Sequence, residues 1–347
     1  MSASSTVSSP SVTKPADSVS PAGLTHAPAL PYLSAAHAPL TCEVDAVNEF
    51  GDHQRIAIPS ERALTVYVDK RELVTLMTLG AHPELLVLGY LHNQRLVRSA
   101  GDVESITVDW DVGAAAVKTR HGIVDIEEKT ARRVVTTGCG QGSVFGGLMD
   151  EVDQIVLPAG AQITQSQLYS LVNTIRLKET TYKSAGSVHA CALFSCLTPE
   201  PEMLLFVEDV GRHNAIDTIA GWLSMNRAPT LPTACGSLPP EGARFDLGRP
   251  GVETVPPTQA AWDGLVFYTT GRLTSEMVIK SAQMGVPIVI SRSGITQMGH
   301  QIAQTVGLCA IGRATNKRFV CYANPQRLQL QPGLVSRPET ATEAKTD

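Results

Sequence analysis

No stretch of this sequence stays apolar for long, no two cysteines form a CxxC pair, and positive charge does not exceed negative. The longest apolar runs, residues 85–91 and 286–290, fall far short of the ~20 residues a membrane-spanning helix needs, which predicts a soluble protein with no membrane partner. Lys plus Arg number 28 against 33 Asp plus Glu, a net charge of −5, so the whole molecule presents no electrostatic footprint for nucleic acid. The seven cysteines, an odd number without paired spacing, fit a reducing cytoplasm better than a disulfide scaffold. The first forty residues contain no Arg and are broken by Pro, which argues against a transit peptide. There is no H-E-x-x-H, no Walker loop, no G-x-S-x-G and no repeated Cys/His spacing, so no bound metal is expected.

What is present divides the 347 residues unevenly. Residues 1–54, dominated at their start by Ser, Ala, Pro and Thr, are predicted to form a disordered tail, because they offer too little apolar surface to repay ordering. Residues 55–130 read as a small β-rich domain. Residues 131–325 read as an α/β domain, and 326–347 as a second disordered tail. Within the α/β part, 225–260 is rich in proline and glycine and is predicted to be a surface insertion. Alternating or continuous apolar residues predict strands at 64–68, 105–110, 132–137, 188–196, 203–207, 264–269, 286–291 and 308–311. Helical spacing predicts helices at 82–95, 165–179 with Thr164 as N-cap, 214–223, 274–284 and 296–306. From residue 203 onward, strand and helix alternate, which indicates a layered α/β sheet.

Glycine and arginine recur where those strands end. Glu208-Asp209-Val210-Gly211-Arg212-His213-Asn214 follows the strand at 203–207, and Thr269-Thr270-Gly271-Arg272, Arg292-Ser293-Gly294 and Gly312-Arg313 follow or close the next three. Ligands of open α/β sheets bind beyond the carboxyl ends of strands. There, glycine lets backbone N–H groups approach an anion, and arginine grips phosphate bidentately. The pattern points to a pocket for a polyphosphorylated small molecule. His213, beside Arg212, is read either as a ligand contact or proton donor, or as a cap bracing the turn.

A second motif is Thr136-Thr137-Gly138-Cys139-Gly140-Gln141-Gly142-Ser143, in which a cysteine sits among glycines after a predicted strand. A glycine-flanked loop is predicted to leave the thiol exposed and open to an incoming sulfur donor, so Cys139 is the candidate nucleophile. Cys191, Cys196, Cys309 and Cys321 lie in apolar strand patterns and read as core, whereas Cys42 and Cys235 fall in predicted flexible segments.

At these residues the sequence resembles the formate dehydrogenase accessory sulfurtransferases, the FdhD family. The resemblance rests on residues 207–217, 270–277 and 289–293 and on the Cys139 loop in the same order, and extends more loosely from about 64 to 322. It implies a cytoplasmic sulfur carrier, a sulfurtransferase that accepts sulfur from a cysteine desulfurase as a Cys139 persulfide. That sulfur would pass to the molybdenum bis-guanine-dinucleotide cofactor (Mo-bis-MGD) before the cofactor enters formate dehydrogenase. The family's cofactor-binding segment matches Phe267, Tyr268, Thr269, Thr270, Gly271 and Arg272, with Gly211, Arg212 and His213 as further contacts. The implied fold is mixed α/β, a layered sheet like that of cytidine deaminase preceded by a smaller β-rich domain, in a homodimer. Many relatives carry a second cysteine three places after the first. This chain has Gly142 there, which removes release of the sulfur through a loop disulfide.

Two other classes stand beside this reading. A zinc deaminase needs an H-x-E and a P-C-x-x-C set, and His189-Ala190-Cys191 lacks the glutamate. A non-catalytic chaperone for the molybdenum cofactor would share the nucleotide pocket but make no use of Cys139.

Overall fold

The computed structural model of the chain describes residues 30–123, 152–178, 181–227 and 264–334. Cys139, Cys235, the strand expected at 132–137 and nearly all of the proline-rich insertion lie outside the described residues.

The amino-terminal half builds β1 (Tyr32–Leu33), β2 (Thr41–Val47), β3 (His53–Pro59), β4 (Arg62–Val68), β5 (Arg71–Thr78), α1 (Pro83–Asn93), β6 (Val103–Asp109) and β7 (Ala114–Thr119). Five of these strands form one sheet in the order β1-β6-β7-β4-β5, while β2 and β3 pair only with each other. Pro83 opens α1 at a position where its missing N–H is no loss. Almost every side chain of α1 is buried, from Leu85 to Leu91, because the helix has neighbours on both sides. One face packs on the first sheet, the other on a helix of the second half.

The carboxy-terminal half adds β8 (Ile163–Thr164), α2 (Gln165–Leu177), α3 (Thr181–Ala185), β9 (His189–Ser195), β10 (Glu202–Asp209), α4 (Arg212–Asn226), β11 (Leu265–Thr269), α5 (Ser275–Gln283), β12 (Ile288–Ser291), α6 (Gln297–Thr305), β13 (Cys309–Thr315), β14 (Arg318–Ala323) and β15 (Leu328–Gln329). The expected Thr164 cap forms as a capping box, its hydroxyl accepting the Gln167 N–H at 3.2 Å. Six strands make the second sheet, in the order β10-β9-β11-β12-β13-β14. Because β9 is antiparallel to both β10 and β11, and β11, β12 and β13 are mutually parallel, four strands end at one edge: β10, β11, β12 and β13. Apolar side chains on one face of this sheet meet α4, α5 and α6, and those on the other meet α2.

The two halves are joined by the crossing of α1 and α4, where both helices are glycine at the contact. A Cβ on Gly89 would lie 1.7 Å from the Asp217 carbonyl oxygen, and one on Gly221 would lie 2.0 Å from that of Leu85. Only glycine lets the two backbones approach this closely.

Two of the expected boundaries move. Residues to 54 were expected to be tail, yet β1 pairs with β6 and buries Leu33, and β2 and β3 form a hairpin. Residues beyond 325 were likewise expected to be tail, yet β15 pairs with β8, and Arg327 donates to the Pro158 and Gly307 carbonyls. These elements are two-residue strands or a half-exposed ribbon, too short or too polar for hydrophobic periodicity to reveal. Among the described residues, no helix is long and apolar enough to cross a membrane.

Candidate functional site

The shared edge of β10, β11, β12 and β13 carries each glycine–arginine turn. Arg212 starts α4 behind Gly211, Arg272 follows Gly271 after β11, Arg292 follows β12, and Arg313 lies on β13. Arg272, Arg292 and Arg313 are exposed and Arg212 is half-buried. The β11 turn is closed from within: the Gly271 N–H donates to Thr269 Oγ1 at 3.1 Å, and Ser291 Oγ donates to the Gly271 carbonyl at 2.6 Å. Gly271 is glycine because the Arg212 stem lies over it, with Cδ 2.9 Å from where a Cβ would stand.

On the α2 side of this edge lies a cleft of about 370 Å3, within the ~300–1,000 Å3 range of small-molecule sites. Alternation along β11 decides which of its residues reach it. Tyr268 and Thr270 line the cleft, whereas Phe267 and Thr269 point to the opposite face and are buried beneath α4 and α5. Arg292 enters from β12, Phe206 and Glu208 from β10, and Tyr182 with Lys183 from α3. Arg176 and Lys178 close it from the end of α2, with Lys178 Nζ 5.3 Å from the Phe206 ring centre. Among the described lining residues, four cations thus face one carboxylate, Glu208, which accepts the Thr181 and Tyr182 N–H groups at 2.7 and 3.1 Å. Burial pushes the Tyr268 phenol up to about 12, so it remains a hydrogen-bond donor despite Arg292 nearby. A cation-rich cleft with three aromatic rings suits a nucleotide, with rings for the base and guanidinium for the phosphates.

The remaining motif residues bind the fold together. Asp209 is buried and accepts from Thr78 Oγ1 (2.5 Å), the Leu79 N–H (3.1 Å), the Gly211 N–H (2.9 Å) and Asn214 Nδ2 (2.8 Å). Asn214 also donates to the Met77 carbonyl, so the turn after β10 is tied to the end of β5 in the other half. One helical turn on, Asp217 accepts from Asn93 Nδ2 at 2.7 Å and pairs with the buried Lys280 at 2.9 Å. Burial works against both charges and raises the Asp217 carboxyl, but the Asp217 and Glu276 carboxylates hold the Lys280 ammonium above its usual range. The contact distances support the charged pair.

His213 is 5% exposed, with Nδ1 3.4 Å from Glu276 Oε1. Burial, reinforced by Lys280, pushes its pKa down to about 3, and Glu276 only partly opposes this. The imidazole is therefore neutral in the fold, and the Glu276 contact is not an ion pair. Because an unfolded histidine protonates near 6.5, acid favours the unfolded chain. From pH 6.5 down towards 3, this residue should progressively remove stability, on the order of 1 kcal/mol per pH unit. Denaturant titrations of His213→Gln are expected to show a shallower acid decline than wild type; parallel declines would show that His213 takes up its proton without unfolding.

The structure thus brings Tyr268, Thr270 and Arg292 into one cleft and packs Gly271 against Arg212. Phe267, Thr269 and His213 are buried in the core, and Arg272 is exposed at the edge without lining the cleft. Sequence reasoning missed Arg176, Lys178, Tyr182, Lys183 and Phe206. The basic run around 176–183, at the end of a helix, was the available signal.

Of the described cysteines, Cys191 and Cys196 are buried and pushed up to about 12, and Cys309 is also raised, first by its hydrogen bond with Cys321. Such thiols are poor nucleophiles. Cys321 is half-buried and Cys42 is exposed on β2.

Comparison with known proteins gives a consistent picture. The model of the FdhD/NarQ family matches residues 59–235 and 257–329. The sulfur carrier protein FdhD of Bacillus subtilis is 27% identical over 270 residues, covering 78% of this chain and 89% of the relative. That of Geobacillus kaustophilus is 25% identical over 271 residues, with the same coverage of each. The fold is shared with a crystal structure of a formate dehydrogenase accessory protein from Desulfotalea psychrophila, at a TM-score of 0.58 and 19% identity, over 84% of this chain and all of that one.

Proposed function

The chain belongs to the FdhD/NarQ family, and from that premise we propose that it is a sulfur carrier serving formate dehydrogenase. The Cys139 thiolate attacks the terminal sulfur of a cysteine desulfurase's persulfide. The donor's S–S bond breaks, its cysteine leaves as thiolate, and Cys139 holds the new persulfide. The acceptor is the molybdenum cofactor, Mo-bis-MGD, a substrate whose guanine nucleotide ends would be held at the strand edge. With Gly142 three places on, no second thiol of this motif can expel the sulfur by forming a disulfide, so the two electrons that release it at the sulfide level come from an external thiol reductant, which is oxidised to a disulfide while Cys139 returns to thiolate.

The observation that carries this reading is the convergence of the glycine–arginine turns on one edge, beside a cationic, aromatic cleft of nucleotide size. Two things support the choice of thiol: Cys139 falls in the glycine-flanked motif, and the thiols of Cys191 and Cys196 are pushed up by burial and that of Cys309 first by its hydrogen bond with Cys321. Incubation of the full chain with a desulfurase and cysteine should add ~32 Da, the mass of one sulfur, on the peptide containing Cys139. The cleft is tested separately. Arg292→Ala should weaken GDP binding by about 1–3 kcal/mol, the scale of a charge-assisted hydrogen bond, and more than Arg272→Ala, which removes an arginine outside the cleft. Calorimetry giving unchanged affinity for Arg292→Ala would move the nucleotide elsewhere.

A further inference from the structure

The opposite ends of the helices carry a second polar cleft that the sulfur-transfer reading does not use. It lies where α1, α4 and α5 terminate, about one α4 length (~22 Å at 1.5 Å per residue) from the strand edge. Its volume is about 180 Å3, below the ~300 Å3 at which small-molecule pockets begin, so it admits a phosphoryl-sized group and not a nucleotide. The polar lining is His92, Arg98, Ser99, Ser224, Arg227 and Gln283, and no carboxylate is among the lining residues. The nearby Asp102 carboxylate is engaged with the backbone, accepting the Arg98 and Ser99 N–H groups at 2.8 and 2.9 Å.

One side chain here has both polar atoms shut off from solvent without a hydrogen-bond partner among the described residues, Nε2 and Oε1 of Gln283, while the His92 ring beside it interacts with the Asn93 side chain. Buried polar atoms are rarely left unpaired, and exceptions mark a missing ligand, ion or water. The charge balance identifies which. Three helix C-termini contribute roughly −0.5 each, about −1.5 together, and Asp102 a further negative charge, against full positive charges on Arg98, Arg227 and the neighbouring Arg95, which leaves a small positive excess. Burial, then Arg95, holds the His92 imidazole below its usual range, with Asn93 opposing and Arg227 adding to the shift. Arg227 answers one helix end by donating to the Met284 carbonyl at 2.5 Å. Arg98 is exposed at the rim.

We propose that this cleft binds a small tetrahedral oxyanion, inorganic phosphate or the phosphoryl group of a small phosphomonoester, through Arg98, His92 and the Gln283 amide. The test uses the full chain in thermal melts and calorimetry, with inorganic phosphate, glycerol phosphate and sodium chloride at matched ionic strength. A saturable stabilisation by phosphate, absent with chloride, is expected. Arg98→Gln, a change at an exposed residue that should leave folding intact, is expected to weaken it about tenfold, as loss of a charge-assisted contact would. Gln283→Leu should weaken it as well, while Arg292→Ala in the strand-edge cleft should leave it unchanged. An equal response to glycerol phosphate would identify the phosphomonoester, and a response to phosphate alone the free ion. A response no different from chloride, or one lost in Arg292→Ala and kept in Arg98→Gln, would overturn the assignment.

Discussion

Cys139→Ser is expected to leave a folded protein that binds GDP normally and activates no formate dehydrogenase. Serine is nearly isosteric with cysteine, but its oxygen cannot carry a sulfane sulfur, and its hydroxyl is not ionised near neutral pH. The mass gain after incubation with a desulfurase and cysteine should disappear, and with it client activity; the drop should span orders of magnitude because the covalent intermediate itself is lost. Three of the five described thiols are poor substitutes, while Cys42 is exposed and the Cys309 hydrogen bond holds the half-buried Cys321 thiol below its usual range, so both are tested directly. Cys191 and Cys196 sit at about 12 in the core, and Cys309 is higher still than a free thiol. Cys42→Ser and Cys321→Ser, made in parallel, should retain both sulfur uptake and client activation. If Cys139→Ser still accepted sulfur and supported the client at full rate, the carrier role would pass to another cysteine or fall altogether, leaving a chaperone that delivers the nucleotide cofactor without moving sulfur.

The second large effect is structural. Gly221→Ala should cost at least about 3 kcal/mol of stability, the upper part of the range for overpacking. The added methyl would fall 2.0 Å from the Leu85 carbonyl oxygen and 3.0 Å from the Gly89 nitrogen, and neither backbone atom can step aside as a flexible side chain could. Relief requires α1 and α4 to separate, which loosens the packing of both cores around Trp222. Gly89→Ala, aimed 1.7 Å from the Asp217 carbonyl oxygen, should behave alike. The added helix propensity of alanine, about 1 kcal/mol in its favour, makes the expected sign a stringent test. Gly160→Ala is the control, because nothing lies within 4 Å of its would-be Cβ. Urea denaturation placing Gly221→Ala within about 0.5 kcal/mol of wild type, the usual range for surface changes, would mean that the helices cross with more room than described.

Much of this architecture was legible in the sequence wherever apolar runs, alternating or continuous, are long. The strands at 64–68, 188–196 and 264–269, the helix at 165–179, which ends at Leu177, and its Thr164 cap follow from period and capping chemistry. The α1–α4 crossing was not legible, because glycine in a helix reads as mild weakness until the partner carbonyl is in view. Legibility of the site was divided in the same way. The recurrence of glycine and arginine at strand ends pointed to one sheet edge, and β10 to β13 do end on the same side. The division of labour within Glu208-Asp209-Val210-Gly211-Arg212-His213-Asn214 could not be read. A polar residue after a strand looks the same whether it faces a ligand or, like Asp209 and Asn214, reaches 130 residues back to bind the end of β5. The cations of α2 and α3 were missed because their approach to Arg292 depends on how α2 lies across the sheet.

The position of β9 in the second sheet sets an order of assembly. β9 and β10 are joined by the short segment 196–201 and pair early at little entropic cost, but the other edge of β9 must wait for β11, some seventy residues on and beyond the proline-rich insertion. Loop closure grows only logarithmically with length, so the insertion costs the finished fold little. It lengthens the interval during which β9, buried in the native state from Ala190 to Ser195, stands as an open strand edge. The chain is therefore most exposed to self-association while it folds, and the native sheet, with β9 paired on both sides, gives no sign of that hazard.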